Sequence, residues 1–271
     1  MRGVLLVPAN LKSIRCLVWV MHQGVMSEQL YNHRGLRQTA ADARCGVVLS
    51  SVMQIQLRPS TSAAAAVGRN AALGGGTALS LMINQWVRDT GHSELGRAPI
   101  LFWGFSAAAS FGTTFAALYP DRTIGFIRYH THRRDVAANI NNLRGLPALL
   151  IAGANDQTAG TEDTELFWRE ARAAGAPWTI AVEPTAGHSS PDVHENTIKE
   201  LTLPWIAAVL DKRLSANGTL RRVADRTAWL ADVRSTEVTS FEKFKGDRRT
   251  ANWLPDQQSA RGWQLVVRPV K

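Results

Sequence analysis

A chain of 271 residues, 45% apolar and 20% charged, is long enough to bury a core without depending on metals or disulfides. Its net charge of +9 is spread over scattered Lys and Arg, and no nucleic-acid-binding motif accompanies it, so no nucleic-acid partner is expected. No stretch approaches the ~20 apolar residues of a membrane span, and the apolar run 4–7 stops at Pro8, too short for a secretory signal, so no span is expected and the compartment stays open between cytoplasm and export with a removed leader.

Short apolar runs at 3–7, 16–21, 46–52, 99–104, 123–129, 147–153 and 178–182 read as strands. Most are nearly continuous in apolar residues, the pattern of strands covered on both faces. Helical stretches alternate with them: 27–44 with Ser27 as a possible N-cap, 70–90 with Gly74-Gly75-Gly76 marking a later true start, 107–119, 161–174, and 192–214 broken near Pro204. The acidic start Thr161-Glu162-Asp163-Thr164-Glu165 complements a helix dipole. This alternation predicts an α/β fold with one mostly parallel, doubly wound sheet and helices on both faces.

The segment 54–68 reads as a loop leading to a helix, and 215–271 as a C-terminal extension packed on the domain formed by 1–214. Nine Trp either fill the core or line a cleft. Cys16 and Cys45 have no metal-site spacing. Cys16 opens an apolar run and reads as a buried structural thiol, with a disulfide left open.

The chemistry-bearing stretch is Gly104-Phe105-Ser106-Ala107-Ala108, placed between an apolar strand and an Ala-rich helix. A serine exposed at such a tight strand-to-helix turn needs small residues two positions before and after it, and Gly104 and Ala108 supply them. The competing role for Ser106 is a plain helix cap. Downstream, the strand 147–153 runs into Gly153-Ala154-Asn155-Asp156, and the strand 178–182 into Gly187-His188. Both polar residues fall just past strand C-termini, where open α/β sheets build their sites. Ser106 is thus the expected nucleophile, His188 the base and Asp156 its orienting acid, with Asp163 and His194 as the competitors. Oxyanion donors are the Ala107 N–H and one N–H from Gln23, Gly24 or Val25, in the loop after the second strand.

On these motifs the chain resembles the α/β-hydrolase superfamily over about 2–214, and within it bacterial esterases of the polyhydroxyalkanoate depolymerase, feruloyl esterase and dienelactone hydrolase-like group. The resemblance implies an α/β-hydrolase fold, no cofactor, and cleavage of small-molecule or polymeric carboxylic esters through an acyl-enzyme. Dienelactone hydrolases carry cysteine where this chain has Ser106. His130, His132 and Phe105 are candidates for lining the substrate cleft. A rival reading takes His130-Thr131-His132 as zinc ligands of a metal-dependent hydrolase, although Arg133 and Arg134 beside them disfavour a dication. A third reading is a non-catalytic binding protein on the same fold.

Overall fold

The computed structural model describes residues 2–22, 24–51, 76–131 and 140–267. Seven strands form one sheet: β1 (Arg2–Leu6), β2 (Cys16–His22), β3 (Cys45–Ser51), β4 (Ile100–Phe105), β5 (Thr123–Tyr129), β6 (Ala148–Gly153) and β7 (Trp178–Glu183). Their order is β1-β3-β2-β4-β5-β6-β7, with β1 antiparallel to β3 and every other pairing parallel. Each apolar run of the sequence became a strand within about two residues of its expected bounds.

The helices are α1 (Val25–Asn32), α2 (Arg34–Asp42), α3 (Gly76–Thr90), α4 (Ala109–Leu118), a single turn α5 (Ile140–Leu143), α6 (Glu162–Ala173), α7 (Pro191–Thr197), α8 (Leu203–Arg213) and α9 (Gln257–Val267). They cover both faces. Leu17, Trp19 and Met21 of β2 pack toward α3, α4 and α6, while Cys16, Val18 and Val20 pack toward α1, α2 and α8. This is why β2 reads as an unbroken apolar run instead of an alternating one.

Three local expectations are corrected. The stretch 27–44 is two helices, because His33 turns extended and its ring accepts the Gly35 N–H, starting α2 afresh. Ser27 is not the N-cap: Gly24 holds that position, and the buried Ser27 hydroxyl donates to the Met21 carbonyl. Cys16 is not a free thiol. The parallel register of β2 and β3 sets Cys16 opposite Cys45, and the two form a disulfide. The break foreseen near Pro204 is present as a π-helical turn, Ile198–Thr202, between α7 and α8. The loop expected at 54–68 lies outside the described residues.

The C-terminal segment holds a second, three-stranded sheet of β8 (Trp229–Ala231), β9 (Val238–Ser240) and β10 (Asn252–Leu254). Leu254 and Trp263 join the core on the α8 face. Asn252 also serves β7, the edge strand: its amide accepts from the Ile180 N–H at 2.7 Å and donates to the Ile180 carbonyl at 2.9 Å. The Trp263 indole donates to the same carbonyl at 2.6 Å. Backbone groups that a free sheet edge would leave open are thus satisfied. Trp19, Trp103, Trp178, Trp205, Trp253 and Trp263 are fully buried, so these tryptophans fill the core.

Candidate functional site

β4 carries its chain into the centre of the site. Ser106 follows its last residue at φ +50°, a left-handed conformation that costs an L-residue free energy. A 3₁₀ turn, Ser106–Ala108, then feeds α4. Gly104 is required here by space. A Cβ at that position would lie 2.4 Å from the Ala109 Cα and 2.6 Å from its nitrogen. The turn holds its serine at the head of α4 only because the helix backbone can press against residue 104.

The loops after β6 and β7 bring up the other two groups. His188 Nε2 lies 3.0 Å from the Ser106 hydroxyl oxygen, and its Nδ1 lies 2.9 Å from Asp156 Oδ2. The other oxygen of Asp156 accepts the backbone N–H groups of Thr158 and Ala159 at 2.9 and 2.8 Å. Asp156 is buried and fully used, whereas the His188 side chain keeps 23% of its surface open. The Phe105 ring is itself buried and packs 5.0 Å from the His188 ring, forming its wall. Three residues far apart in sequence, Ser106, Asp156 and His188, therefore form one hydrogen-bonded chain.

Their competitors lie elsewhere. Asp163 is in the first turn of α6. His194 is fully buried in α7, with Nε2 donating to the Met26 carbonyl at 3.2 Å. Burial pushes its imidazole down to about 4, with Glu183 pulling weakly the other way. The neutral ring neither reaches Ser106 nor titrates near neutral pH.

The oxyanion-donor candidates other than Ala107 follow β2, the strand beside β4. Met21 of β2 pairs with Gly104 of β4, so the chain leaving β2 runs beside the turn leaving β4. Gly24, at φ +70°, caps α1, and Val25 is its first residue. Gln23 lies outside the described residues, as does His132.

His130 does not line an open cleft. It is 1% exposed and sits behind Asp156, with Nε2 at 2.7 Å from Glu183 Oε2 and Nδ1 at 3.1 Å from the His188 carbonyl. Glu183, buried at the end of β7, was given no role in the sequence reading. The available signal was an acid closing an otherwise apolar strand. It also accepts from the Tyr129 hydroxyl at 3.1 Å and from Thr197. Burial and the Glu183 charge push the Tyr129 phenol up, so it remains a donor.

His130, Asp156 and His188 could in principle hold a cation, since one donor atom from each lies within 4.8 Å of the others. Those donors are already committed, however: Asp156 Oδ2 to His188, His188 Nε2 to Ser106, and both nitrogens of His130 to acceptors. A separate cavity of about 1150 Å³ lies among β7, α6 and the C-terminal segment, walled by Trp168, Ile180, Val233 and Trp263. None of Ser106, Asp156 and His188 lines it. No helix among the described residues is long and apolar enough to cross a membrane.

No protein-family model matches the chain, and no curated protein sequence matches it. Solved structures do match. A thermostable esterase is 12% identical at TM-score 0.53, with 75% of this chain and 58% of that one covered. The Bacillus cereus carboxylesterase is 15% identical at TM-score 0.51, covering 77% of this chain and 94% of that one. A ferulic acid esterase is 13% identical at TM-score 0.51, covering 76% and 91%. Together with the mostly parallel sheet and its flanking helices, these matches define the α/β-hydrolase fold.

Proposed function

We propose that the chain is a serine hydrolase that cleaves carboxylic esters through an acyl-enzyme on Ser106. The observation that carries this reading is the continuous chain Ser106–His188–Asp156 at 3.0 and 2.9 Å, set on strand C-termini with the serine in a left-handed turn. His188 Nε2 takes the hydroxyl proton as Ser106 Oγ attacks the ester carbonyl. Asp156 accepts the Nδ1–H, which keeps Nε2 free to act as base and stabilises the imidazolium that forms. The oxyanion is held by the Ala107 N–H at the head of α4 and by one N–H from Gln23, Gly24 or Val25. Collapse of the intermediate expels the alcohol, which takes the proton back from His188. Water then repeats the sequence and frees the acid. The esterase names of the structural neighbours agree with this class of substrate. We further propose that 215–271 belongs to the same folding unit as 1–214, since Leu254 and Trp263 share its core.

A fluorophosphonate probe and p-nitrophenyl esters of increasing acyl length test the reading. The wild-type protein should label and hydrolyse, and Ser106→Ala should do neither, with turnover falling on the order of a million-fold. Purified Ser106→Ala retaining more than about a tenth of turnover would sink the assignment, given that expected loss. A wild-type protein inert to both reagents would point to the non-catalytic binding reading.

A further inference from the structure

We infer that His130 is a positioning residue held as a buried imidazolium: its ring braces Asp156 and the His188 loop from behind, with Glu183 as its counter-ion. The inference deepens the reading of Ser106, Asp156 and His188 as a catalytic chain and rests on it.

The argument is one of donors and acceptors. A neutral imidazole has one N–H and one lone pair. Among the described residues, both nitrogens of His130 face acceptors only. Nε2 meets Glu183 Oε2 at 2.7 Å, while Nδ1 meets the His188 carbonyl at 3.1 Å and Asp156 Oδ2 at 3.5 Å. A lone pair at either position would oppose an oxygen in a buried site, and two N–H groups satisfy all of them. Glu183 is fitted to be the anion, because Tyr129, Thr197 and His130 all direct protons at its oxygens. One cation then sits between two buried carboxylates, Asp156 and Glu183.

Among the described residues, the charged and titratable neighbours can be placed. Asp156 comes from the loop after β6, Glu183 from β7, His188 from the loop after β7, and His194 from α7, where burial keeps it neutral. Tyr129 stacks on the ring at 4.2 Å and stays protonated. The surroundings are shaped for the ring. His130 takes φ +48° at the strand end, and a Cβ on Gly153 would lie 2.9 Å from its Cε1. The hydrogen bond to the His188 carbonyl ties this charge to the backbone of the base itself.

A cation here has a kinetic signature. Its ring lies 6.3 Å from that of His188, so it disfavours a second imidazolium there and holds the base neutral at lower pH. Removing it should move the acid limb of the kcat/KM profile to higher pH by roughly one to two units, from Coulomb's law at an effective dielectric of about 20 to 40.

The test has two readouts. In wild-type protein labelled with ¹⁵N-histidine, at neutral pH, the His130 ring assigned by side-chain-to-backbone correlation should show both nitrogens protonated. His130→Gln should move the pH–rate limb upward by that interval. A His130 ring with one bare nitrogen, as a protonated Glu183 would produce, overturns the inference, and it does so even if the variant fails to fold. Two protonated nitrogens with an unmoved limb would reduce His130 to a structural ion pair and overturn its positioning role. Failure of the Ser106 assignment would be seen separately, in the hydrolysis by Ser106→Ala.

Discussion

Acidification should remove the stability that depends on a neutral His194 before the carboxylates titrate. The folded imidazole is pushed down to about 4 by burial, against 6.5 for a free one. Its Nε2–H donates to the Met26 carbonyl, and its Nδ1 has no partner among the described residues. A second proton would therefore enter a site with no acceptor. Because the folded value lies below the unfolded one, the unfolded chain takes up the extra proton. The stability is fully present above about pH 6.5 and is lost as pH falls toward about 4. Between about pH 7.5 and about pH 5 this amounts to a loss of about 2 kcal/mol, and to roughly 3 kcal/mol once both states are protonated. Glu94, Glu195 and Asp232 are held below the ordinary carboxylate value by hydrogen bonds, so their contributions fade only at lower pH. Urea unfolding across this interval, compared between wild type and His194→Gln, isolates the effect. The Gln amide can keep the bond to Met26 and does not titrate. The wild type should show the additional slope and the variant should lack it. Equal slopes to within about 0.5 kcal/mol would refute the argument, since the expected difference is about 2.

The remaining predictions concern the site. Hydrolysis should rise with pH through one ionisation, because the base must be neutral to accept the serine proton. His188→Ala should remove that limb with most of the activity, and survival of the wild-type profile would place the base elsewhere. Asp156→Asn should lower kcat roughly a thousand-fold or more with a smaller effect on KM, because the amide no longer holds the imidazole in the right tautomer. EDTA should leave turnover unchanged. Loss on chelation, restored by zinc, would favour the reading built on His130 and His132. Gly104→Ala should cost roughly 1–3 kcal/mol of stability and on the order of a hundred-fold in turnover, because the added methyl meets the α4 backbone and displaces Ser106. Calorimetry and ester kinetics check both parts, and turnover within about threefold of wild type would contradict the close approach, which predicts a far larger loss.

How much was legible in the sequence follows from the range of the forces involved. The strands β2, β4, β5, β6 and β7 announced themselves because burial on both faces demands unbroken apolar runs, a demand written locally. That Ser106, Asp156 and His188 would meet was legible for a related reason. Each follows a strand C-terminus closely, so adjacency in the sheet could be anticipated from chain order alone. Gly104 was readable as a small residue, but the α4 backbone against it was not.

Contacts between elements decided the rest. Cys16 and Cys45 meet because two parallel strands happen to share a register, and register is set by the whole sheet. The short strands of the C-terminal segment draw their order from β7 and α9, and their few residues carry no period of their own. His130 illustrates the limit best. Its position after β5 suggested a cleft, and the cleft needs only that a strand end there. The ring instead turns inward onto the buried carboxylate of Glu183, 53 residues away, which only the folded sheet can bring within 2.7 Å. A strand's length and burial are set by its own side chains, whereas the pairing of charges in a core is set by which strands become neighbours.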